Sequence, residues 1–366
     1  MKSFRLYAWS VLAFHLAVIL WGAYVRASGS GAGCGEHWPL CNGQFVPRAQ
    51  LSATIIEFSH RVTSAMALLS VLALAIWAFR AFPWGSPVRR GALLALASML
   101  IECAIGAALV VLRLVGSNES FSRGLWLAAH LINTLFLLAA LSLTAWEATR
   151  VAVLTDGARR ALASPVSTGI FVAGFLAAGI LGTFAALGDT LAGWTSLTAS
   201  LHSDFSPFSN IFVRLRILHP IVAGALGISL LAFALKVIPF SGTNAAARRL
   251  GWIIALLVLC QFSLGVADIL LRTPIWLQLL HLLGADLLWI ACVLLAYELR
   301  LWVLGRDTER NGDLHLRAEP QLAPDLQLTP DVFGPFAHSR KAPVLGLSRA
   351  DHVSVDPTAV VANDNT

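Results

Sequence analysis

Residues 55–79 read IIEFSHRVTSAMALLSVLALAIWAF, and the reading of this stretch decides the fold. From Val62 to Phe79 no residue is charged. Crossing the hydrocarbon core of a bilayer takes about 20 mostly apolar residues in a helix, and the stretch is long enough. Its first turns nevertheless carry Glu57, His60 and Arg61, side chains that are expensive in hydrocarbon and mark function when they occur there. The expectation is a membrane helix with chemistry near one end.

Working outward, seven further stretches have the same length and character, at roughly 7–25, 91–112, 125–147, 166–187, 213–236, 250–271 and 275–302. The first could be taken for a cleavable leader, but Trp9, His15, Trp21 and Tyr24 interrupt it, so it reads as a retained span. Composition agrees: 57% of residues are hydrophobic and 13% charged, whereas soluble domains carry roughly 25% charged residues. Mean hydropathy is +0.73. The net charge of +6 does not imply nucleic acid, because only Lys2, Lys236 and Lys341 are lysines and no basic cluster interleaves with aromatics.

The basic residues instead give direction. Lys2, Arg5, Arg80, Arg89, Arg90, Arg150, Arg159, Arg160, Lys236, Arg248, Arg249, Arg300, Arg306 and Arg310 flank one side of the spans. The other side has Arg26, Arg48, Arg113, Arg123, Arg214, Arg216 and Arg272. By the positive-inside rule both termini are cytoplasmic, in a cell inner (plasma) membrane, and the loops 26–54, 113–124, 188–212 and 272–274 face outward. Beyond residue 304 the chain is polar and contains Pro320, Pro324, Pro330, Pro335, Pro343 and Pro357. It reads as a disordered cytoplasmic tail, with His315, His338 and His352 as solvated bystanders.

An internal repeat sets the architecture. Ile105-Gly106-Ala107 and Leu112-Arg113 match Leu264-Gly265-Val266 and Leu271-Arg272 at one offset, which also carries His60 onto His219. Gly22 aligns with Gly182, and His130 with His281 across a shorter last outer loop. Each unit has four spans, so both copies enter the membrane in the same sense. The fold class expected is an all-α integral membrane protein of eight transmembrane helices, built as two parallel four-helix-bundle repeats. The domains expected are 1–160, 161–303 and the tail 304–366.

His60, His130, His219 and His281 each lie five or six residues into a span that runs inward. At 1.5 Å per residue the four imidazoles sit roughly 8–10 Å below the outer surface. Two histidines per bundle at matched depth are what axial ligation of a haem requires. A single histidine in a span more often packs or hydrogen-bonds, as His15 would, since its repeat position holds Phe175; duplication of a pair favours ligation. A metal site of all four histidines is disfavoured because the pairs belong to separate bundles. No Cys-x-x-Cys-His motif for covalent haem attachment is present.

The two copies are not chemically equal. The repeat offset places Glu57 on Arg216 and His60-Arg61 on His219-Pro220. Glu57 shares a helix face with His60; it is neutral, paired with Arg61, or engaged in the reaction. Arg216 would suit a haem propionate. In the first outer loop Cys34 and Cys41 suit an oxidised pair outside the cytoplasm; a zinc site with His37 fits no standard spacing. Cys103, Cys260 and Cys292 read as packing residues in spans.

Gly22-Ala23-Tyr24-Val25-Arg26, the Cys34–Cys41 loop, Glu57-Phe58-Ser59-His60-Arg61, and the spacing of His130, His219 and His281 resemble the haem A synthase family over about residues 5–302. The resemblance implies oxidation of the C8 methyl of haem O, through an alcohol, to the formyl group of haem A. It implies haem b as cofactor on His219 and His281, haem O as substrate on His60 and His130, and Glu57, His60 and Arg61 as catalytic residues. Expected partners are membrane lipid and haem O, with haem O synthase, cytochrome oxidase assembly factors and a second copy of the chain as further candidates, and no nucleic acid. One departure is plain: residues 188–212 lack the second cysteine pair found in some relatives. Two other readings are a bis-histidine b-type cytochrome that only transfers electrons and a haem-free transporter.

Overall fold

In a computed structural model of the chain, the described residues are 2–48, 51–149, 165–192, 196–241 and 244–317. Among them the regular structure is helical, apart from one isolated bridge between Cys41 and Gln44. The helices are α1 (Lys2–Ala27), α2 (Ser52–Ala81), α3 (Pro87–Val111), α4 (Phe121–Thr149) and α5 (Pro165–Ala192). They continue with α6 (Leu197–Phe205), α7 (Ile211–Leu215), α8 (Leu218–Phe240), α9 (Ala245–Leu270) and α10 (Ile275–Arg317).

Eight helical stretches are long and apolar enough to cross a membrane, α7 and α8 counting as one from Ile211 to Phe240. Each expected stretch falls on one of them. Much of their apolar surface points outward: Leu69, Ile76, Leu94, Leu100, Ile228 and Leu256 are exposed on helix faces. Water would penalise that surface and lipid does not, so the chain is a multi-pass membrane protein.

The sequence supplies the helix starts. Ser86 caps α3 by accepting a bond from the amide of Arg89, with Pro87 at the first helical position. Asn244 caps α9 in the same manner through Ala247. In the first half α1 packs on α2 and α4, and α3 closes the ring between α2 and α4. In the second half α5 packs on α7 and α8, and α8 on α9. The halves meet where α4 contacts α5 and where the Trp289 indole of α10 donates to the Leu135 carbonyl of α4 at 2.8 Å. Residues Met1–Leu314 form one compact unit.

The repeat extends to backbone detail. After α3, Arg113 turns left-handed (φ 57°), its amide bonds the Val110 carbonyl, and the Leu114 amide bonds the Leu109 carbonyl. After α9, Arg272 (φ 63°) bonds Ile269 and Thr273 bonds Asp268. Both are Schellman caps, in a place where glycine usually sits. The same local sequence thus ends both helices in the same way.

Two features depart from the expectation. Span six is broken at Arg216–Ile217, between α7 and α8, whereas its counterpart α2 is continuous. Pro220 explains the break: it has no N–H for the Arg216 carbonyl, which is instead taken by the His219 amide at 3.2 Å. Arg61 stands at the equivalent place in α2 and keeps the ladder intact. The last helix also runs past 304, to Arg317, which corrects the expected start of the tail. The prolines on which that expectation rests begin only at Pro320, so nothing in 304–317 forbids a helix. The tail from 318 onward, with His338 and His352, and the boundary expected near 160 lie outside the described residues.

Candidate functional site

The site is assembled from four spans that each present one histidine: α2 with His60, α4 with His130, α8 with His219 and α10 with His281. All four rings are half-buried, whereas His15 is buried and bonded to its own helix at the Val11 carbonyl, 2.8 Å away. Each ring lies against a glycine of a neighbouring helix. A Cβ built on Gly22 would stand 2.8 Å from Cε1 of His60, and one on Gly182 would stand 3.0 Å from Cε1 of His219. Gly106 abuts His130 at 3.9 Å and Gly265 abuts His281 at 3.4 Å, measured the same way. Gly22 and Gly182 are repeat partners, as are Gly106 and Gly265. The chain has therefore duplicated not only two histidines but the cradles that hold them.

In the second half, His219 and His281 face each other with ring centroids 6.3 Å apart and planes at 87°. A metal bonded to one nitrogen of each ring at about 2 Å would separate the centroids by roughly 6 Å, so the spacing of this pair fits a metal-containing group that the two rings would hold. Nδ1 of His219 lies 3.1 Å from the Ala178 carbonyl, the kind of contact that fixes a ligand's tautomer and leaves Nε2 to the metal. Among the described residues no group of three or more His, Cys, Asp or Glu side chains could hold an ion by itself. Paired imidazoles around a macrocycle are the arrangement these residues suit.

Above His60 sits a polar latch. Glu57, 3% exposed, receives the Cys34 amide on Oε2 at 2.8 Å and the Arg61 guanidinium on Oε1 at 2.6 Å. Arg61 also donates to the carbonyls of His37 (3.0 Å) and Leu40 (2.8 Å). Cys34 and Cys41 are joined as a disulfide, and the loop that they close is thereby tied down over α2. Of the readings open for Glu57, the ion pair with Arg61 is formed.

Arg216 does the corresponding work in the second half with opposite charge. It donates to Asp204 at 2.5 Å, to Asp189 at 3.0 Å, and to both the carbonyl and the hydroxyl of Ser200. This holds the short helix α6 over the break in span six. The guanidinium assigned to a propionate by its sequence position is thus already met by two carboxylates.

One residue escapes a search for histidines and their near neighbours. Glu102 of α3 lies 2.9 Å from Nδ1 of His130 and accepts hydrogen bonds from Asn133 and Thr134. The signal was available: it is a carboxylate inside a span, and the repeat offset carries it onto Gln261.

The sequence profile of the family described as cytochrome oxidase assembly protein (COX15-CtaA) matches residues 5–293. The chain is 44% identical over 290 residues to a Thermus thermophilus protein named Protoheme IX farnesyltransferase, covering 79% of this chain and 47% of that protein. It is 41% identical over 110 residues to the Heme A synthase of Geobacillus kaustophilus, covering 30% of this chain and 35% of that protein. For the Heme A synthase of Symbiobacterium thermophilum the figures are 40% over 111 residues, 30% and 36%. The chain thus spans about half the length of the Thermus relative and about a third of these two synthases. With the profile matched over most of its length, the chain belongs to the cytochrome oxidase assembly protein family.

Proposed function

We propose that this family member is a haem A synthase, an oxidoreductase that converts the C8 methyl of haem O to a formyl group and so supplies haem A for terminal oxidase assembly. The observation that carries the reading is the duplicated histidine–glycine cradle with a carboxylate latch on one copy only. Identical copies would suit an electron carrier; a pair in which one copy has gained Glu57 and Arg61 suits one site for a cofactor and one for a substrate.

In this reading His219 and His281 hold haem b, which supplies a one-electron redox couple when bound. His60 and His130 hold the substrate haem O, so that its methyl meets the same neighbours in every turnover. Turning the methyl into a formyl group replaces two hydrogens by one oxygen, a four-electron oxidation whose oxidant comes from outside the chain, and the charge that develops on the macrocycle is positive. Glu57, fixed by Arg61 and the Cys34 amide, is a preorganised negative group one helical turn from His60 and stabilises that charge. Arg61 also keeps the disulfide loop closed, which excludes water from the outer end. Arg216 closes the other half by holding α6.

The farnesyltransferase name belongs to a protein of which the chain matches 47%. Farnesyl transfer from a diphosphate calls for divalent cations on clustered carboxylates, and the described residues contain no such cluster. That chemistry finds no support here, although a protein that makes haem O is a natural partner for one that consumes it. The excess of basic residues on one side supports cytoplasmic termini in the plasma membrane.

The test is Glu57→Ala in the purified full chain, with haems extracted and separated. The expected result is retention of haem b with accumulation of haem O or its hydroxylated product. A normal yield of haem A would remove the assignment.

A further inference from the structure

The Glu57/Arg216 exchange is not the only place where the two halves differ beside a histidine. On α3, Glu102 lies one turn before Gly106, the glycine under His130, so both face α4. Its carboxylate accepts from the Asn133 amide and from the Thr134 hydroxyl, the latter at 2.5 Å, and its Oε1 stands 2.9 Å from Nδ1 of His130. That Nδ1 is buried and has no regular hydrogen bond, so the carboxylate oxygen beside it is the acceptor within reach. Asn133 and Thr134 follow His130 by three and four residues and hold Glu102 from the same helix that carries the histidine.

In the second half all three positions change together. The offset that carries Gly106 onto Gly265 carries Glu102 onto Gln261, and the offset that carries His130 onto His281 carries Asn133 and Thr134 onto Gly284 and Ala285. Gln261 fills the space that the missing side chain leaves: a Cβ on Gly284 would fall 2.3 Å from Gln261 Oε1. One copy thus has an anion with two donors arranged to hold it. The other has a neutral amide and neither donor. Loss of the donors along with the charge is what electrostatics requires, since an anion in a membrane interior needs partners.

We infer that Glu102 is a positioning residue for His130: it receives the Nδ1 hydrogen, fixes the ring with Nε2 toward the substrate iron, and makes His130 a stronger donor than His281. This rests on the reading of His60 and His130 as the substrate pair. A ligand imidazole hydrogen-bonded to a carboxylate is more basic than one bonded to a neutral group. It favours ferric over ferrous iron, so the first-half haem has the lower reduction potential contribution from its ligand. A substrate site that must give up electrons benefits from that bias.

The experiment uses the purified full chain, Glu102→Gln and the reciprocal Gln261→Glu, each titrated with haem O and followed by spectroelectrochemistry. Glu102→Gln should raise the midpoint potential of the first-half haem and weaken its binding by about 10–100-fold, with the second-half haem unchanged. Gln261→Glu made together with Gly284→Asn and Ala285→Thr, which supply the two donors, should lower the potential of the second-half haem. Unchanged potentials and affinity in Glu102→Gln would overturn the inference. If that variant does not accumulate, an unchanged potential in the Gln261→Glu protein that carries both donors overturns it instead. His130→Ala separates the two levels: haem spectra and stoichiometry identical to the parent would remove the underlying substrate-site reading, and with it this inference.

Discussion

Consider the glycine under each histidine, replaced by alanine. Ordinary van der Waals contact begins at 3.4 Å, and the new methyl would meet His60 at 2.8 Å in Gly22→Ala and His219 at 3.0 Å in Gly182→Ala. The rings must retreat by about 0.6 and 0.4 Å, beyond the roughly 0.2 Å within which metal–ligand distances hold. Overpacking of this kind costs about 1–3 kcal/mol, which corresponds to a loss of about 5–150-fold in affinity for whatever the ring binds. Gly265→Ala and Gly106→Ala are the built-in controls, because their methyls would stand 3.4 and 3.9 Å from His281 and His130. Haem occupancy and the Soret spectrum of the four purified variants give the readout. Gly182→Ala should lose the b-type signal, Gly22→Ala should weaken haem O binding, and the two controls should bind nearly as the parent. A Gly182→Ala protein with full b-type haem beside a depleted Gly265→Ala protein would refute the reasoning.

Other expectations follow from the same contacts. His219→Ala or His281→Ala should remove the b-type spectrum from purified protein; an unaltered Soret band would put the ligands elsewhere. Arg216→Ala would leave Asp189 and Asp204 without their shared cation in a buried place, a loss of about 3–5 kcal/mol. Thermal unfolding of the detergent-solubilised protein should show a clear drop, and no change would mean that the cluster does not hold α6. Cys34→Ser opens the loop that presents its amide to Glu57, so conversion of haem O should fall while haem b occupancy stays; full conversion would separate the loop from the chemistry.

Which of these contacts could be read in advance depended on their spacing along the chain. Glu57, His60 and Arg61 lie within two helical turns, so helical periodicity alone puts them on one side. The four histidines were legible because duplication marks them. Glu102 stands out as a carboxylate inside a span, but its contacts were not legible, because His130, Asn133 and Thr134 are on another helix and only packing brings them to it. The partners of Arg216 were hidden for a similar reason: Asp189 lies near the end of α5 and Asp204 in α6, and only packing brings both to the guanidinium. The break in span six was foreseeable from Pro220 against Arg61, yet a guanidinium turned toward two carboxylates was not.

By itself the sequence determined the eight spans, their repeat and the place of each histidine along its span. Each follows from local rules: apolar length against bilayer thickness, and rise per residue. Only the tertiary structure decided that a glycine of a neighbouring helix lies against every histidine, tightly at His60 and His219. It also decided that two segments are held down by opposite charges, and that a carboxylate stands beside one histidine of one copy. Those are contacts between helices far apart in the chain, settled by how side chains share space once the spans have packed.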